Sequence, residues 1–331
     1  MIRLPAFAHL APESAGEAVL MLAEHGPAAA LVAGGTGLYP AMKRRQVRPR
    51  VLVSLASVGG LRGISTGSDG EVRIGAMTSL AELARAGAGP GAGIAALAAA
   101  ARAVASPQIR GMGTVGGNLC LDTRCNYFDM PDDWRDAVGP CLKAGGEICQ
   151  LAPGGSRCWA ISACDLAPVA MALECSVRMV GLAGSRTLPL ADLYRPDGID
   201  RLAIGPGEIL AELLVPAGDG VRACYRKVRR RASIDFPMLG VAVAVRLDRD
   251  GACRDARVVL GAVASAPLRC REAEGLLTGR RLTPESIGQA AEAASRPARP
   301  LDNADLTHYY RKWVIPVHVA RALREVAGAA V

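Results

Sequence analysis

The stretch Ala30-Leu31-Val32-Ala33-Gly34-Gly35-Thr36-Gly37-Leu38 carries an apolar run directly into three glycines. The pattern predicts a strand that ends in a turn, because the apolar residues are followed by residues that tolerate positive φ. A glycine-rich turn exposes successive backbone N–H groups, which can hold the oxygens of a pyrophosphate. For this stretch taken alone, a tight turn without a ligand is the alternative.

A second glycine-rich stretch is Ile109-Arg110-Gly111-Met112-Gly113-Thr114-Val115-Gly116-Gly117-Asn118, and it matches G-x-G-x-x-G literally. A Rossmann dinucleotide-binding turn is not expected, because that fingerprint lies between a strand and a helix. Here an Ala-rich helix is predicted before the glycines, and a cysteine-rich loop follows them. Two backbone cradles beside such a loop favour a cofactor site over two unrelated turns.

The ten cysteines are distributed unevenly, since none precedes Cys120 and seven lie from Cys120 to Cys175. The segment that follows Cys120 is so rich in Pro and Gly that we expect a long loop at residues 120–160, with no helix or strand. Thiolates suit zinc or iron–sulfur clusters, and the lack of a C-x-x-C pair disfavours a zinc ribbon. Reduced cysteines packed as small hydrophobic residues are the alternative, which suits Cys164 and Cys175 best.

The composition is that of a folded chain of 331 residues, large enough for two domains, with 50% hydrophobic and 21% charged residues. Lys and Arg number 39 against 31 Asp and Glu, and the densest basic run, at residues 226–231, is typical of a solvated face. Only 4% of the residues are aromatic. The chain therefore lacks the stacking platforms of many nucleic-acid binders, and we expect no nucleic-acid partner.

No apolar run is long enough to span a bilayer, and Met1–Pro5 lacks the pattern of a signal peptide. We therefore expect a cytoplasmic protein with no membrane partner. The motifs G-x-S-x-G, H-E-x-x-H and G-x-x-x-x-G-K-[ST] do not occur, and the four histidines are scattered. The sequence thus assigns no catalytic acid, base or nucleophile to this chain.

In their order and combination, the motifs resemble the FAD-binding medium (beta) subunit of the xanthine dehydrogenase family of molybdenum hydroxylases. The resemblance covers essentially the whole chain. It is carried by Leu4–Phe7, Pro12–Ser14, Ala33–Thr36, Gln108–Arg110, Gly113–Leu119, Asp165–Pro168, Lys227 with Arg231, and Asp235–Pro237. One departure is Gly37, where the family usually has Asp, and a backbone cradle should tolerate that change.

The cysteine-rich loop resembles the insert of one branch of this family, the 4-hydroxybenzoyl-CoA reductases, whose medium subunit holds a [4Fe–4S] cluster. Periplasmic aldehyde oxidoreductases carry a cluster in a comparable place with a different cysteine spacing. Cys120 directly follows the flavin motif and Cys164 begins an apolar helix, so neither is expected to be a ligand. The resemblance implies ligation by four cysteines separated by steps of 16, 8 and 9 residues, namely Cys125, Cys141, Cys149 and Cys158.

The fold implied by the resemblance is α+β. A vanillyl-alcohol-oxidase-type (PCMH-like) FAD-binding domain of two subdomains is followed by a C-terminal α+β domain with an antiparallel sheet. The implied FAD-binding domain spans residues 1–217, with subdomains at about 1–56 and 57–217, and the C-terminal flavoprotein domain spans 218–331. Compatible patterns in the second domain are strands at Phe236–Leu247 and Ala256–Val263, a helix capped by Thr283, and a terminal helix at Tyr309–Ala327 broken near Pro316.

The resemblance also implies cofactor-binding residues. Asp165 matches a contact to FAD, with a helix-capping box from Ser162 as its alternative. Lys227 matches a residue near the flavin, where a cation stabilises the anionic reduced ring, with a solvated basic run as its alternative. The two cradles contribute Leu31, Val32, Ala33, Gly34, Gly35, Thr36 and Gly37 on one side of FAD, and Gly113, Thr114, Gly117 and Asn118 on the other.

The implied function is electron transfer within a molybdenum enzyme. Electrons would pass from a ferredoxin-like donor through the [4Fe–4S] cluster and FAD to a [2Fe–2S] small subunit and a molybdopterin-binding large subunit. The implied assembly is a dimer of heterotrimers. The implied reaction is reductive dehydroxylation of 4-hydroxybenzoyl-CoA or a related aromatic CoA thioester. The alternatives are the FAD subunit of a hydroxylase acting on aldehydes or N-heterocycles, and a non-catalytic zinc or thiol assembly protein.

Overall fold

Three β-sheets organise the computed structural model, which describes residues 3–88, 92–218 and 220–328. The first sheet is parallel, in the order β1-β3-β2, and consists of β1 (Ala8–Leu10), β2 (Ala29–Val32) and β3 (Val51–Ser54). Its strand β2 leads into the first glycine-rich turn, as the sequence predicts. The sheet therefore fixes the direction from which this turn reaches the rest of the molecule.

The second and third sheets are antiparallel. The second has the order β4-β5-β8-β6-β7 and contains β4 (Ile64–Thr66), β5 (Val72–Gly75), β6 (Ser176–Gly181), β7 (Gly184–Pro189) and β8 (Ile209–Val215). The third has the order β12-β11-β10-β9 and contains β9 (Val221–Val228), β10 (Leu239–Leu247), β11 (Cys253–Gly261) and β12 (Leu268–Arg269). An α+β class with a C-terminal antiparallel sheet is thereby confirmed.

Thirteen α-helices lie in the described part of the chain, and none of them is long and apolar enough to cross a membrane. They are α1 (Ala15–His25), α2 (Leu38–Lys43), α3 (Leu80–Arg85), α4 (Ala92–Ala103), α5 (Pro107–Met112), α6 (Val115–Leu119), α7 (Asn126–Asp129), α8 (Asp132–Val138), α9 (Leu166–Ala172), α10 (Leu190–Leu193), α11 (Arg271–Leu277), α12 (Pro284–Ser295) and α13 (His308–Ala327). Helix α5 directly precedes Gly113, which agrees with the rejection of a Rossmann turn.

Strand β10 shows how the third sheet joins two cores. Val241, Val243 and Val245 are buried among residues of α11, α12 and α13. Ala242 and Ala244, which point to the opposite face, are buried with residues of α4, α9 and the second sheet. Full burial of each valine contributes about 1.5–3 kcal/mol, so one strand stabilises both the C-terminal part of the chain and its junction with α4, α9 and the second sheet.

The prediction of a loop without helices at residues 120–160 was wrong. Two short helices, α7 and α8, lie between Cys125 and Cys141. Helix α8 occupies a run that contains neither Pro nor Gly, beginning directly after Pro131 and ending before Gly139, whose φ is +88°. The breakers therefore bound the helix instead of preventing it.

The predicted break near Pro316 was also wrong, because α13 is continuous from His308 to Ala327. Proline removes one helical hydrogen bond, at a cost of about 3 kcal/mol. Beyond it, Val319, Ala322 and Leu323 are fully buried against the third sheet. Their burial offsets that cost and keeps the helix in one piece.

Other local predictions were close. Thr283 caps α12 as predicted, with its Oγ1 accepting a hydrogen bond from the Ser286 N–H at 3.2 Å. Strand β10 begins three residues later than predicted, after Pro237, and β11 begins three residues earlier, at Cys253. Such end shifts are expected where hydrogen bonding to a neighbouring strand decides the boundary.

Candidate cofactor sites

A large cleft lies between the two glycine-rich turns, with about 2020 Å³ of empty space including its open mouth. Ten of the eleven cradle residues predicted from the sequence line it, and both turns contribute. The exception is Val32, which is 3% exposed and packs with Met42 and Leu52 behind the turn. Its side chain belongs to the core, as strand alternation at the end of β2 requires.

The turns approach each other so closely that side chains would not fit. A Cβ at Gly34 would lie 1.8 Å from the carbonyl oxygen of Met112, at the end of α5. Gly35 has a φ of +68°, and its Cβ would lie 2.3 Å from the Tyr39 ring. A Cβ at Gly117 would lie 2.9 Å from Thr114 Oγ1. Two bare backbone segments thus face one cleft, which is the arrangement that a pyrophosphate requires.

The polar residues of the second turn hold its backbone in place. Thr114 caps α6, with Oγ1 accepting from the Gly117 N–H at 3.1 Å. Asn118 Oδ1 accepts hydrogen bonds from the Leu166 N–H at 3.3 Å and from the Cys164 thiol at 3.0 Å. The Asn118 side chain therefore joins α6 to the start of α9, and Cys164 is buried in that core as predicted.

Several residues that line the cleft were missed from the sequence. Ile234 and Phe236 reach it from the C-terminal domain, and Ile234 has a φ of +71°. The Arg124 guanidinium lies over the Phe236 ring, 4.1 Å from its centroid. Arg201 lines another part of the wall and donates to the Cys120 carbonyl oxygen at 2.9 Å. No local pattern marks these residues, because the contacts form between distant segments.

Asp165 and Lys227 form a buried ion pair behind the cleft. Their Nζ–Oδ2 distance is 2.9 Å, and each side chain is 4% exposed. Tyr225 donates its hydroxyl to Asp165 Oδ1 at 2.7 Å, and Lys227 also donates to the Ala103 carbonyl oxygen at 2.9 Å. Burial raises the pKa of Asp165, although Lys227 opposes the rise, and burial lowers the pKa of Lys227, which Asp165 opposes.

The position of Asp165 can be compared with its two predicted roles, a contact to FAD and a helix-capping box with Ser162. The residue precedes α9 but makes no capping hydrogen bond, so the capping box with Ser162 does not form. Neither Asp165 nor Lys227 is among the residues that line the cleft, whereas Val104 and Ala105, which follow the Ala103 carbonyl, do line it. The pair supports the cleft wall from behind, and a direct contact of either residue with FAD stays a prediction.

The four cysteines predicted as ligands surround a second, smaller cavity with about 270 Å³ of empty space. All four are buried, between 5% and 8% exposed. Cys120 lines the large cleft instead, and Cys164 and Cys175 lie in the main core. Cys125, Cys141, Cys149 and Cys158 thus share one cavity, and their role as metal ligands stays a prediction.

The potential metal donors of this cavity are four cysteine sulfurs. Among the described residues, no three His, Cys, Asp or Glu side chains converge as one metal ion requires. The four cysteines line one cavity, and four thiolates are the donor set that an iron–sulfur cluster takes. Burial raises the pKa of the Cys125 thiol to about 11, with Cys141 and Cys158 adding to the rise. Burial also raises the pKa of the Cys158 thiol, and a bound metal would favour the thiolate form of a coordinating cysteine.

One residue of the cysteine-rich loop, Phe128, contributes to the walls of both cavities. Phe128 lines the cysteine cavity and the large cleft, so the two sites share one side chain as their partition. Gln46 Nε2 donates to the Phe128 carbonyl oxygen at 3.0 Å and joins this partition to the segment after α2. Trp134 packs on Tyr127 and is 36% exposed.

Comparison with known proteins gives a consistent picture. The family described as "FAD binding domain in molybdopterin dehydrogenase" matches residues 5–218, and the "CO dehydrogenase flavoprotein C-terminal domain" family matches residues 223–326. The 6-hydroxypseudooxynicotine dehydrogenase complex subunit alpha of Paenarthrobacter nicotinovorans is 31% identical, over 96% of this chain and 94% of that protein. The FAD-binding subunit of the Escherichia coli aldehyde oxidoreductase is 33% identical, over 83% and 87% of the two chains.

Among solved structures, one chain of the carbon monoxide dehydrogenase from Hydrogenophaga pseudoflava superposes with a TM-score of 0.81. It is 28% identical in sequence, and the match covers 99% of this chain and all of that one. The similarity therefore extends over the FAD-binding part and the C-terminal part together.

Proposed function

Since this chain belongs to the molybdenum hydroxylase family as an FAD-binding medium subunit, we propose that it binds one FAD between its two glycine-rich turns and serves as an electron-transfer subunit. The cleft between two backbone cradles is the observation that carries the proposal. Bound FAD would supply reversible electron uptake there. The chain contributes the cradle at Gly34 and Gly117, the wall around Ala105, and the Asp165–Lys227 pair that supports this wall. A vanillyl-alcohol-oxidase type of FAD domain, with a boundary at 217/218, is part of the same proposal.

We propose that the working unit contains a molybdopterin-binding large subunit and a [2Fe–2S] small subunit, doubled into a dimer of heterotrimers. The names of the relatives support this, because they are medium chains or subunits of larger complexes. The described residues support it too, since the one His–acid ion pair among them, His308 with Asp302, lies outside both cavities. Substrate chemistry would then take place in a partner.

We further propose that the cysteine cavity holds a [4Fe–4S] cluster, which makes this chain a specialised member of its family. The support is the convergence of four buried cysteines on a cavity that no other cysteine lines among the described residues. A neighbouring glycine allows the chain to pack closely against one of these cysteines. For example, Gly198 packs where a Cβ would lie 2.6 Å from Cys158 Sγ.

For the reaction, we propose reductive dehydroxylation of 4-hydroxybenzoyl-CoA or a related aromatic CoA thioester, with a ferredoxin-like donor. The support is the spacing of the four cysteines in the sequence and the cavity that they line. The second candidate is aldehyde oxidation, which the 33% identity to an aldehyde oxidoreductase subunit favours. Turnover assays of the assembled complex with each substrate class, coupled to a reduced low-potential donor or to an electron-accepting dye, separate the two.

Single Cys→Ser variants of the anaerobically purified chain test the cluster. Cys125→Ser and Cys141→Ser should lose the electron paramagnetic resonance signal of the reduced cluster and retain FAD, because four thiolates complete the site. Cys120→Ser and Cys164→Ser should keep both the signal and FAD, since neither residue lines the cavity.

The result that would contradict the assignment is retention of the signal in Cys141→Ser. Zinc in place of iron in anaerobically prepared wild-type protein would favour the assembly-protein alternative. Protein that contains one FAD per chain but neither iron nor zinc would support the proposed flavin site and disprove the proposed cluster.

A further inference from the structure

Lys143 is the only charged side chain among the described residues that line the cysteine cavity. It follows Cys141 by two residues, and its side chain is 8% exposed. Its ammonium lies 5.0 Å from the centroid of the Phe128 ring, the partition between the two cavities. A lysine is rarely buried to this extent unless it is paired, so its contacts show what holds it there.

The ammonium group is saturated by oxygen acceptors from two segments. It donates to Asp122 Oδ1 at 2.8 Å, to Thr123 Oγ1 at 2.6 Å and to the Thr123 carbonyl oxygen at 3.1 Å. It also donates to the Gly198 carbonyl oxygen at 3.0 Å. Asp122 and Thr123 line the large cleft, and the Gly198 N–H donates to the carbonyl oxygen of Cys158 at 2.9 Å. Lys143 therefore connects the wall of one site to the backbone of the other.

The charge of this group is only partly neutralised. Asp122 is its carboxylate partner, but the same Oδ1 lies 3.3 Å from Arg201 Nε, and the Asp122 side chain is 49% exposed. One solvated carboxylate thus faces two cations. The remaining acceptors of Lys143 are neutral oxygens, so a net positive charge stays at the wall of the cysteine cavity.

We propose that Lys143 is a positioning residue that couples the two cofactor sites, by holding the Asp122–Thr123 wall to the cysteine loop and by placing a buried positive charge that raises the reduction potential of a group bound by the four cysteines. The proposal rests on the cluster proposed above. One-electron reduction adds a negative charge among the sulfurs, and a nearby cation stabilises the product of that reduction more than the reactant.

The test is a redox titration of the full chain, reduced by dithionite under anaerobic conditions and followed by electron paramagnetic resonance. Lys143→Met removes the charge and leaves an unbranched side chain that is one atom shorter. We expect its reduction equilibrium to shift about tenfold toward the oxidised form, which is 59 mV lower for a one-electron couple. Lys143→Arg should stay near the wild-type potential. Lys43→Met, at an exposed lysine in α2, is the matched control and should match wild type.

A second measurement separates coupling from packing. Lys143→Met should release FAD more readily than wild type, because the Asp122–Thr123 wall loses its anchor, whereas Lys43→Met should not. A Lys143→Met protein with wild-type iron content and an unchanged potential overturns the electrostatic role. If Lys143→Met loses its iron, Lys143→Arg decides, and loss of iron there as well would overturn the role of the charge. Wild-type protein without iron would instead overturn the cluster itself, which is a distinguishable outcome.

Discussion

At the scale of single residues, substitutions of the glycines in the two turns test the proposed flavin site most directly. Gly34→Val and Gly117→Val should give flavin-depleted protein, because a Cβ at either position meets backbone or a capping hydroxyl at less than 3 Å. Gly111→Val is the matched control, since nothing lies within 4 Å of a Cβ at that position and it does not line the cleft. The measurement is the ratio of bound flavin to protein absorbance. Full flavin retention in both cleft variants would count against the site.

The Asp165–Lys227 pair gives a second prediction at this scale. Lys227→Met should lower the free energy of unfolding by about 3–5 kcal/mol, because it leaves a buried carboxylate without its counter-charge. The double variant Asp165→Asn with Lys227→Met should recover much of that loss. Urea unfolding of four proteins, namely wild type, Lys227→Met, Asp165→Asn and the double variant, measures the coupling between the two positions.

The same four proteins distinguish a supporting role from a direct contact with FAD. If the pair acts through the wall at Val104 and Ala105, flavin affinity should recover in the double variant together with stability. If Lys227 touches the flavin, affinity should stay low in the double variant although stability returns. Flavin titration by fluorescence quenching gives the answer.

At the scale of elements, the segment before α13 anchors the cysteine loop to the C-terminal domain. Asn303 is 1% exposed, its Nδ2 donates to the Trp159 carbonyl oxygen at 2.7 Å, and its carbonyl oxygen accepts from the Asn126 N–H at 3.0 Å. Arg311, which is fully buried, donates to Asn303 Oδ1 at 3.3 Å. Asn126 follows Cys125 and Trp159 follows Cys158, so this one residue holds the first and last proposed ligands.

Asn303→Ala should therefore destabilise the protein by about 1–3 kcal/mol for each buried partner left unsatisfied. It should also speed the release of iron to a chelator while FAD remains bound. The exposed substitution Gln289→Ala in α12 serves as control. The anchoring role would be disproved by iron release at the wild-type rate in Asn303→Ala protein that is measurably less stable.

How far the sequence predicts this molecule depends on the range of the interactions. The glycine-rich turns and the Thr283 cap were predictable, because each depends on chemistry within a few residues. The contacts of Lys227 with Asp165 and of Gln46 with Phe128 span 62 and 82 residues, and no local pattern contains them. Helix α8 was not predicted for a different reason. The nearby Pro131 and Gly139 were taken to exclude a helix, whereas they mark its two ends.

At the scale of the whole molecule, the cysteine loop contacts parts of the chain that belong to all three sheet regions. Gln46 comes from the segment between α2 and β3 of the first sheet, Gly198 from the segment between β7 and β8 of the second, and Asn303 from the C-terminal domain. A loop held at three points is better ordered than its own short helices would make it. The flavin cleft and the cysteine cavity therefore share a common framework.

The last prediction concerns what this chain does without partners. Among the described residues that line the cleft, no histidine occurs, and the acids present, Asp122 and Asp129, are engaged by Lys143, Arg201 and Arg124. The described wall thus offers neither an imidazole nor an unpaired carboxylate for acid–base chemistry on a substrate. The purified chain should accordingly bind FAD and reduce dyes slowly at best, with no substrate turnover. Adding the proposed large and small subunits should restore turnover, and Gly34→Val should abolish it in the complex because electrons then have no flavin to reach. Substrate-dependent activity of the isolated chain, measured anaerobically with an aromatic CoA thioester or an aldehyde, would refute the division of labour proposed here.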